Sequence, residues 1–378
     1  MSSDRSGSDR LVPDRLIPDR LVPDRFGRDD ALADAARDDH VDDGPSSSRR
    51  TVVTAAAVAA GATALAVLAR GYGTYRAERD AAYARVDPDE HRVAHTPVGD
   101  VEHRERGSGT PVLVSHGIVG GCDQAMRVGS ALVDDARIVA PSRFGYLGST
   151  IPTYPSPSTQ ARAFAGLLDD RGVDDTVVVG TSAGAPAAIR FALAFPERTR
   201  GLVLLAAATP SDRERDGPTG PPTPLLRDPV FWLLRSRAPR LLRRLFGVSR
   251  GDWQRAAPAD RDRVDALLDT LFPVAPRRAG VAVDADFTNL HVVDHADDYD
   301  PADVAVPTLV VHAEDDPLAD FSDAARFADR TPNGVLRAYE TGGHLVFGHG
   351  DDVREHVTAF VRDPDGYVAG TAPRSATS

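Results

Sequence analysis

VVVGTSAGAPAAIRFALAF, residues Val177–Phe195, is the stretch that decides how this chain folds. It opens on three consecutive valines, β-branched residues that pack well on a pleated sheet. It closes on Ala, Ile, Phe and Leu at helical spacing and stops before Pro196. Between the two lies Gly180-Thr181-Ser182-Ala183-Gly184, so a strand turns sharply into a helix with a serine at the corner. A nucleophile on such a corner has a strained backbone, and glycines two before and two after it let neighbouring chains approach closely. The start of the helix points its partial positive charge at an oxyanion forming there. Ser182 is therefore the candidate nucleophile. A plain strand-to-helix turn is the bland alternative in a chain with 32 glycines; the apolar strand before and the helix after weigh against it.

Outward from this corner, short apolar runs recur: Val112–Ser115, Arg137–Ala140, Thr176–Val179, Gly201–Leu205, Thr308–His312 and Leu336–Glu340. Continuous β-branched and leucine runs suit strands buried on both faces of a parallel sheet. Helical segments between them give a doubly wound α/β fold with a mostly parallel central sheet. Two more polar stretches, near Arg92–Thr96 and Val101–Arg106, read as an antiparallel edge pair. Residues 210–299 interrupt the alternation with a Pro/Gly-rich turn and helical patterns, and are expected to form a helical cap over the sheet's carboxyl edge. The core is then 91–209 with 300–362, and 363–378 is a frayed tail.

Three further motifs sit where strands end. In VLVSHGIVGGCDQ a Gly-rich loop follows Ser115 and can present the Ile118 N–H which, with that of Ala183, would form an oxyanion hole; His116 is expected to hold the loop. The glycine spacing fits neither a dinucleotide nor a Walker phosphate loop. In VPTLVVHAEDDPLAD, Glu314, Asp315 and Asp316 compete to orient the base, and Asp316 best fits His-x-x-x-Asp-Pro. A turn of solvated acids is the competing reading in so Asp-rich a chain. In YETGGHLVFGHG, His344 on a flexible Gly-Gly loop can reach both serine and acid, whereas His349 belongs to a helix start. Cys122, the one cysteine, excludes an intramolecular disulfide and is a weaker candidate nucleophile.

HGIVGGCDQ, GTSAG, HAEDDP and GGH, in this order and spacing, resemble the α/β-hydrolase superfamily over roughly residues 92–362, weakly through 210–299. SRFGYLGS resembles the serine esterase and aminopeptidase-like branch. The resemblance implies a Ser182–His344–Asp316 hydrolase acting on a small acyl substrate, without metal or organic cofactor. A serine at the elbow argues against the dehalogenase and epoxide-hydrolase branches, which use an aspartate. Aminopeptidase, C–C hydrolase and cofactor-free haloperoxidase chemistries share this triad, and a catalytically silent binding protein on the same fold is the alternative of another class.

The formal net charge of −12 argues against a nucleic-acid partner, and nothing in the sequence calls for a protein partner. All 44 basic residues are arginine, and Asp far outnumbers Glu, a composition resembling proteins of salt-loving archaea. The physical expectation is a hydrated acidic surface suited to high salt. Codon bias alone is the alternative.

Residues 1–48 contain the repeat DRLVP-DRLIP-DRLVP-DRFGR and an Asp-rich run, with too little apolar surface to fold. Arg49-Arg50 then precede an uncharged run, Thr51–Ala69, whose 19 residues are about enough to cross a bilayer. Three readings stay open: an anchor with the catalytic domain outside the cytoplasm, a twin-arginine export signal on SRRTVVT, or a buried Ala-rich helix. Residues 72–90 read as a charged helix or linker. Between Leu225 and Arg250, seven arginines against one aspartate interleave with Leu, Phe and Trp, a pattern that suits either an ordinary cap or a membrane surface.

Overall fold

The computed structural model describes residues 47–86, 92–211, 220–288 and 295–371. The expected repeat tail, 1–46, lies outside the described residues. The chain divides into two compact units, Met1–Ala64 and Leu65–Ser378. The described part of the first is helical, the beginning of α1 (Ser47–Arg85). Residues Val52–Arg70 are exposed along this helix. By length and composition alone this helix could cross a membrane.

The second unit is built on one eight-stranded sheet in the order β1-β2-β4-β3-β5-β6-β7-β8. The strands are β1 (Arg92–Thr96), β2 (Gly99–Arg106), β3 (Thr110–Ser115), β4 (Ala136–Pro141), β5 (Thr176–Thr181), β6 (Thr199–Leu205), β7 (Thr308–Ala313) and β8 (Gly334–Tyr339). β2 pairs antiparallel with β1 and β4, and all other pairings are parallel. The apolar runs are strands for a reason visible in the packing. Val112, Val114, Val177, Val179, Val203, Leu309 and Val311 face one buried cluster. Their alternate neighbours Leu113, Val178, Leu202, Leu204 and Val310 face the other. Strand period two thus feeds both faces at once, and helices cover each. On the first face lie α2 (Cys122–Leu132) and α11 (Gly350–Arg362); on the second, α3 (Pro157–Asp170), α4 (Ala185–Ala194) and α10 (Phe321–Arg330).

Between β6 and β7 the chain leaves the sheet as α5 (Asp228–Arg237), α6 (Pro239–Leu245), α7 (Arg250–Arg255), α8 (Pro258–Asp269) and α9 (Arg278–Val283). These bury a third apolar cluster that includes Phe231, Trp232, Leu242, Leu268 and Phe272. Within the same unit, α1 ends against this segment. Tyr75 lies 5.3 Å from Trp232, ring to ring, Trp232 Nε1 donates to Glu78 (3.0 Å), and the Tyr83 hydroxyl donates to Asp228 (2.8 Å).

The frayed tail expected after Arg362 needs correcting over its first part. Pro364–Thr371 is helical, α12, because Tyr367 has partners: Arg337 Nε donates to its hydroxyl (3.0 Å), His356 Nδ1 lies 3.0 Å away, and its ring meets Phe360 edge-on. Residues 372–378 lie outside the described residues.

Candidate active site

Because β3, β5, β6, β7 and β8 run parallel, their carboxyl ends share one edge of the sheet, and the residues that follow each strand are brought together there. Ser182 directly follows β5 with φ +49°, in the left-handed region that costs a non-glycine residue energy. The flanking glycines answer to close approach. A Cβ on Gly180 would lie 2.7 Å from Ala188 Cβ, and one on Gly184 would lie 2.4 Å from the carbonyl oxygens of Ser115 and His116. The corner is tied down by Ser115 Oγ donating to Gly184 O (2.8 Å) and Thr181 Oγ1 donating to Ser115 O (3.1 Å).

His344 lies between the other two candidates. Its Nε2 is 2.9 Å from Ser182 Oγ, and its Nδ1 is 2.8 and 3.1 Å from the two oxygens of Asp316. The competing acids are placed differently. Asp315 accepts from the Gly343 N–H (2.7 Å), while Glu314 is exposed. The Asp316 carboxylate is fully buried and accepts from the N–H groups of Leu318 (2.8 Å) and Ala319 (3.1 Å), with His312 Nε2 at 3.2 Å. Burial opposes its ionisation, but the hydrogen bonds from His312 and His344 outweigh burial and hold the carboxyl well below the usual range. Gly343 has φ +58°, and a Cβ there would lie 2.4 Å from Phe246 O; the histidine loop touches the helical segment backbone to backbone, with His344 N–H donating to Phe246 O (2.9 Å).

The loop after β3 passes close to the serine: a Cβ on Gly117 would stand 3.2 Å from Ser182 Cβ. Ile118 and Ala183 line the cavity beside it. Burial, and then the Arg143 charge, push the His116 pKa well down, so its ring is neutral. Nε2 accepts the Arg143 N–H (2.9 Å), which leaves Nδ1–H to donate to Gly117 O (2.7 Å). Arg143 also donates to His116 O (2.9 Å) and makes a bidentate pair with Asp284 (2.5 and 2.6 Å), whose carboxylate takes the Tyr146 hydroxyl as well (2.5 Å). Arg277 is the second buried tie: it pairs with Asp123 (3.0 and 2.8 Å) and donates to Gly120 O (2.5 Å). Sequence reasoning passed over all four of these ionic residues. The fixed signal available was the Arg143 of SRFGYLGS; nothing local distinguished Asp284 or Arg277 from other Asp and Arg residues.

Cys122 has no part in this site. It is buried, and burial pushes its thiol up to about 12, so it is not a thiolate nucleophile.

The site opens into a cavity of about 790 Å³, lined by Ile118, Val119, Val128 and Leu205 from the core and by Leu225, Phe231, Leu234, Leu242, Phe246 and Leu271 from the helical segment. Among the described lining residues the polar side chains are Gln124, Thr181, Ser182 and His344, and none is an arginine, aspartate or glutamate.

Comparison with known proteins agrees with this architecture. The α/β hydrolase fold family matches residues 110–351. An uncharacterized hydrolase of Bacillus subtilis, YcgS, is 27% identical over 264 residues, covering 66% of this chain and 89% of its own. A 2-hydroxy-6-oxo-2,4-heptadienoate hydrolase of Pseudomonas putida is 26% identical, covering 64% and 84%. Among solved structures, an α/β hydrolase fold protein from Nakamurella multipartita superposes with a TM-score of 0.61 at 24% identity, covering 72% of this chain and 99% of its own. The chain belongs to the α/β-hydrolase fold family.

Proposed function

We propose that the protein is a serine hydrolase that cleaves a carboxylic ester with an apolar acyl group through an acyl-enzyme intermediate. The observation that carries this reading is the bridging position of His344, 2.9 Å from Ser182 Oγ on one side and 2.8 Å from Asp316 on the other. His344 takes the serine proton as Oγ attacks the ester carbonyl, and the Ile118 and Ala183 N–H groups hold the oxyanion. His344 then gives its proton to the leaving alkoxide, and the same nitrogen activates the water that releases the acid. Asp316, held ionised by its hydrogen bonds, fixes the imidazole tautomer and stabilises its cation. The helical segment within 210–299 acts as a cap over the acyl pocket.

The lining favours an ester over the C–C hydrolase alternative. A dienoate of the kind named for the Pseudomonas relative carries a carboxylate, and burying it among aliphatic side chains with no described cationic partner is costly. The strain at Ser182 disfavours a silent binding protein, which has no use for a serine at φ +49°. A fluorophosphonate probe, followed by a panel of esters of graded acyl length, tests the reading. Labelling at Ser182 and preference for medium or long acyl chains are expected; absence of labelling on folded protein would remove it.

The exposed apolar helix preceded by Arg49-Arg50 supports an anchored protein with its catalytic domain outside the cytoplasm, and the lysine-free acidic composition supports a high-salt habitat. N-terminal sequencing separates the anchor from a cleaved export signal: an anchored chain stays full-length in the membrane fraction, whereas cleavage leaves a soluble chain starting near Arg70.

A further inference from the structure

The first two helices of the cap are apolar on two faces, and one face is already accounted for. Phe231 and Leu234 of α5 and Leu242 of α6 line the cavity. On the outside, Val230, Leu233, Leu241 and Leu245 are 39, 54, 52 and 47% exposed. Val230, Leu233 and Arg237 follow one another at i, i+3 and i+7, one stripe of α5; Leu241 and Leu245 make an i, i+4 pair on α6. A helix whose inner face is buried normally gives its outer face to polar residues, so exposed leucines in succession call for a partner.

The charges among them say which. Arg237, Arg240 and Arg244 are exposed and make no ion pair among the described residues, unlike Arg235 and Arg243, which pair with Glu78 and Asp265. Leucine interleaved with unpaired arginine is the pattern that buries aliphatic groups in the acyl boundary of a bilayer while the guanidinium groups meet anionic headgroups. Position adds to the argument. Leu245 and Leu318, 47 and 55% exposed, both also line the cavity and so stand where it meets solvent. Tyr75 and Glu78, which follow the apolar run of α1 in the chain, pack on Trp232 of the same α5.

We propose that the outer face of α5–α6 docks on an anionic membrane surface, placing the cavity mouth at Leu245 and Leu318 against the lipid, so that the acyl substrate enters from the bilayer. The docking surface is separate from the Thr51–Ala69 anchor; the lipid-derived substrate rests on the hydrolase reading above.

The test uses the full chain in phosphatidylcholine vesicles with and without phosphatidylglycerol, brominated lipid serving as quencher. An environment-sensitive dye is placed at Leu241→Cys, or at Glu197→Cys beside the amino end of β6, the sheet edge opposite the cavity; native Cys122 is buried and leaves the labelling specific. Quenching and a blue shift are expected at position 241 alone, and only with phosphatidylglycerol. Reversing Arg237, Arg240 and Arg244 to Glu should lower the docked-to-undocked ratio by on the order of a hundredfold at physiological ionic strength, and by less as salt is raised and screens the headgroup charge. A chain that floats with the vesicles while the dye at 241 behaves like that at 197 overturns the docking face and leaves the anchor standing. A chain that does not float overturns both. Equal quenching without phosphatidylglycerol overturns the role given to the arginines.

Discussion

Removing the Asp284 carboxylate tests what holds the loop of the proposed oxyanion donor Ile118 in place. In Asp284→Ala the guanidinium of Arg143, whose side chain is 5% exposed, loses two charge-assisted bonds of 2.5 and 2.6 Å, and the Tyr146 hydroxyl loses its acceptor. Stranding one half of a buried pair costs about 3–5 kcal/mol. For a domain of this size that lowers the melting temperature by roughly 10 °C. Burial works against the Arg143 charge, but Asp284 outweighs it and raises the pKa, so the guanidinium stays charged in the wild type. Without the partner it must seek water or another carboxylate. In doing so it withdraws from His116 O, 2.9 Å from its Nε, and the loop that carries Ile118 shifts. If Ile118 is the oxyanion donor proposed, misplacing it should cost about 10²–10³ in kcat. Thermal unfolding and ester turnover read the two effects separately. The double variant Arg143→Met/Asp284→Leu should recover most of the stability, because no charge is left stranded, but not the turnover. A single variant within about 1 kcal/mol of wild type would refute the buried pair as a structural tie, and a destabilised variant with unchanged kcat would refute its link to the loop.

Ser182→Ala, His344→Ala and Asp316→Asn should each lower kcat by about a thousandfold or more, with little added by combining them; Asp315→Asn, which keeps an acceptor for the Gly343 N–H, should cost far less, and the reverse ranking of the two acids would undo the assignment. Gly343→Ala forces a Cβ to within 2.4 Å of Phe246 O at a φ of +58°, so it should slow both turnover and fluorophosphonate labelling; full activity would mean the histidine loop is not clamped there. The Asp316 carboxyl is held below its unfolded value, so the stability it contributes is present above about pH 4 and lost as pH falls through the folded value. The stability gap between wild type and Asp316→Asn should therefore close in acid-titration melts below that pH; a gap that instead closes near neutrality would point to a histidine. The acidic, lysine-free composition predicts loss of activity on dialysis into low salt, and full stability in dilute buffer would refute the high-salt reading.

The sheet was legible because its central parallel strands β5 and β7 are buried on both faces, so Val177–Val179 and Leu309–Val311 read as unbroken apolar runs in a chain otherwise dense with charge. The loops at their ends were legible because they require unusual residues: glycine where Gly184 meets two carbonyl oxygens, glycine again before His344. The choice among Glu314, Asp315 and Asp316 could rest only on spacing, since which carboxylate faces His344 depends on a turn closed by the Leu318 and Ala319 N–H groups on Asp316 itself. Arg143–Asp284 and Arg277–Asp123 were out of reach for another reason. Their partners lie 141 and 154 residues apart, and one Asp or Arg in an Asp- and Arg-rich chain carries no local mark of being buried. The helix Pro364–Thr371 escaped notice because its stability comes from Tyr367 meeting Arg337 of β8 and His356 of the preceding helix, contacts that no local pattern marks.

Those long-range ties change what the proposed cap would be. Arg277, near the end of the helical segment, donates to Gly120 O of the loop that carries Ile118; Asp284 reaches that loop only through Arg143, which donates to His116 O; and Phe246 O, near the middle of the segment, accepts from the His344 backbone. The helical segment therefore positions both the proposed oxyanion donor and the proposed base, while its other residues line the cavity. A cover held only by apolar contacts can be exchanged for another of similar volume. This one cannot, because its removal would strand the Arg143 and Asp123 charges in the core and free the histidine loop at once. If the proposed roles hold, substrate choice and catalytic geometry are coupled through the same residues, so substitutions that reshape the cavity near Phe246 should alter turnover as well as preference.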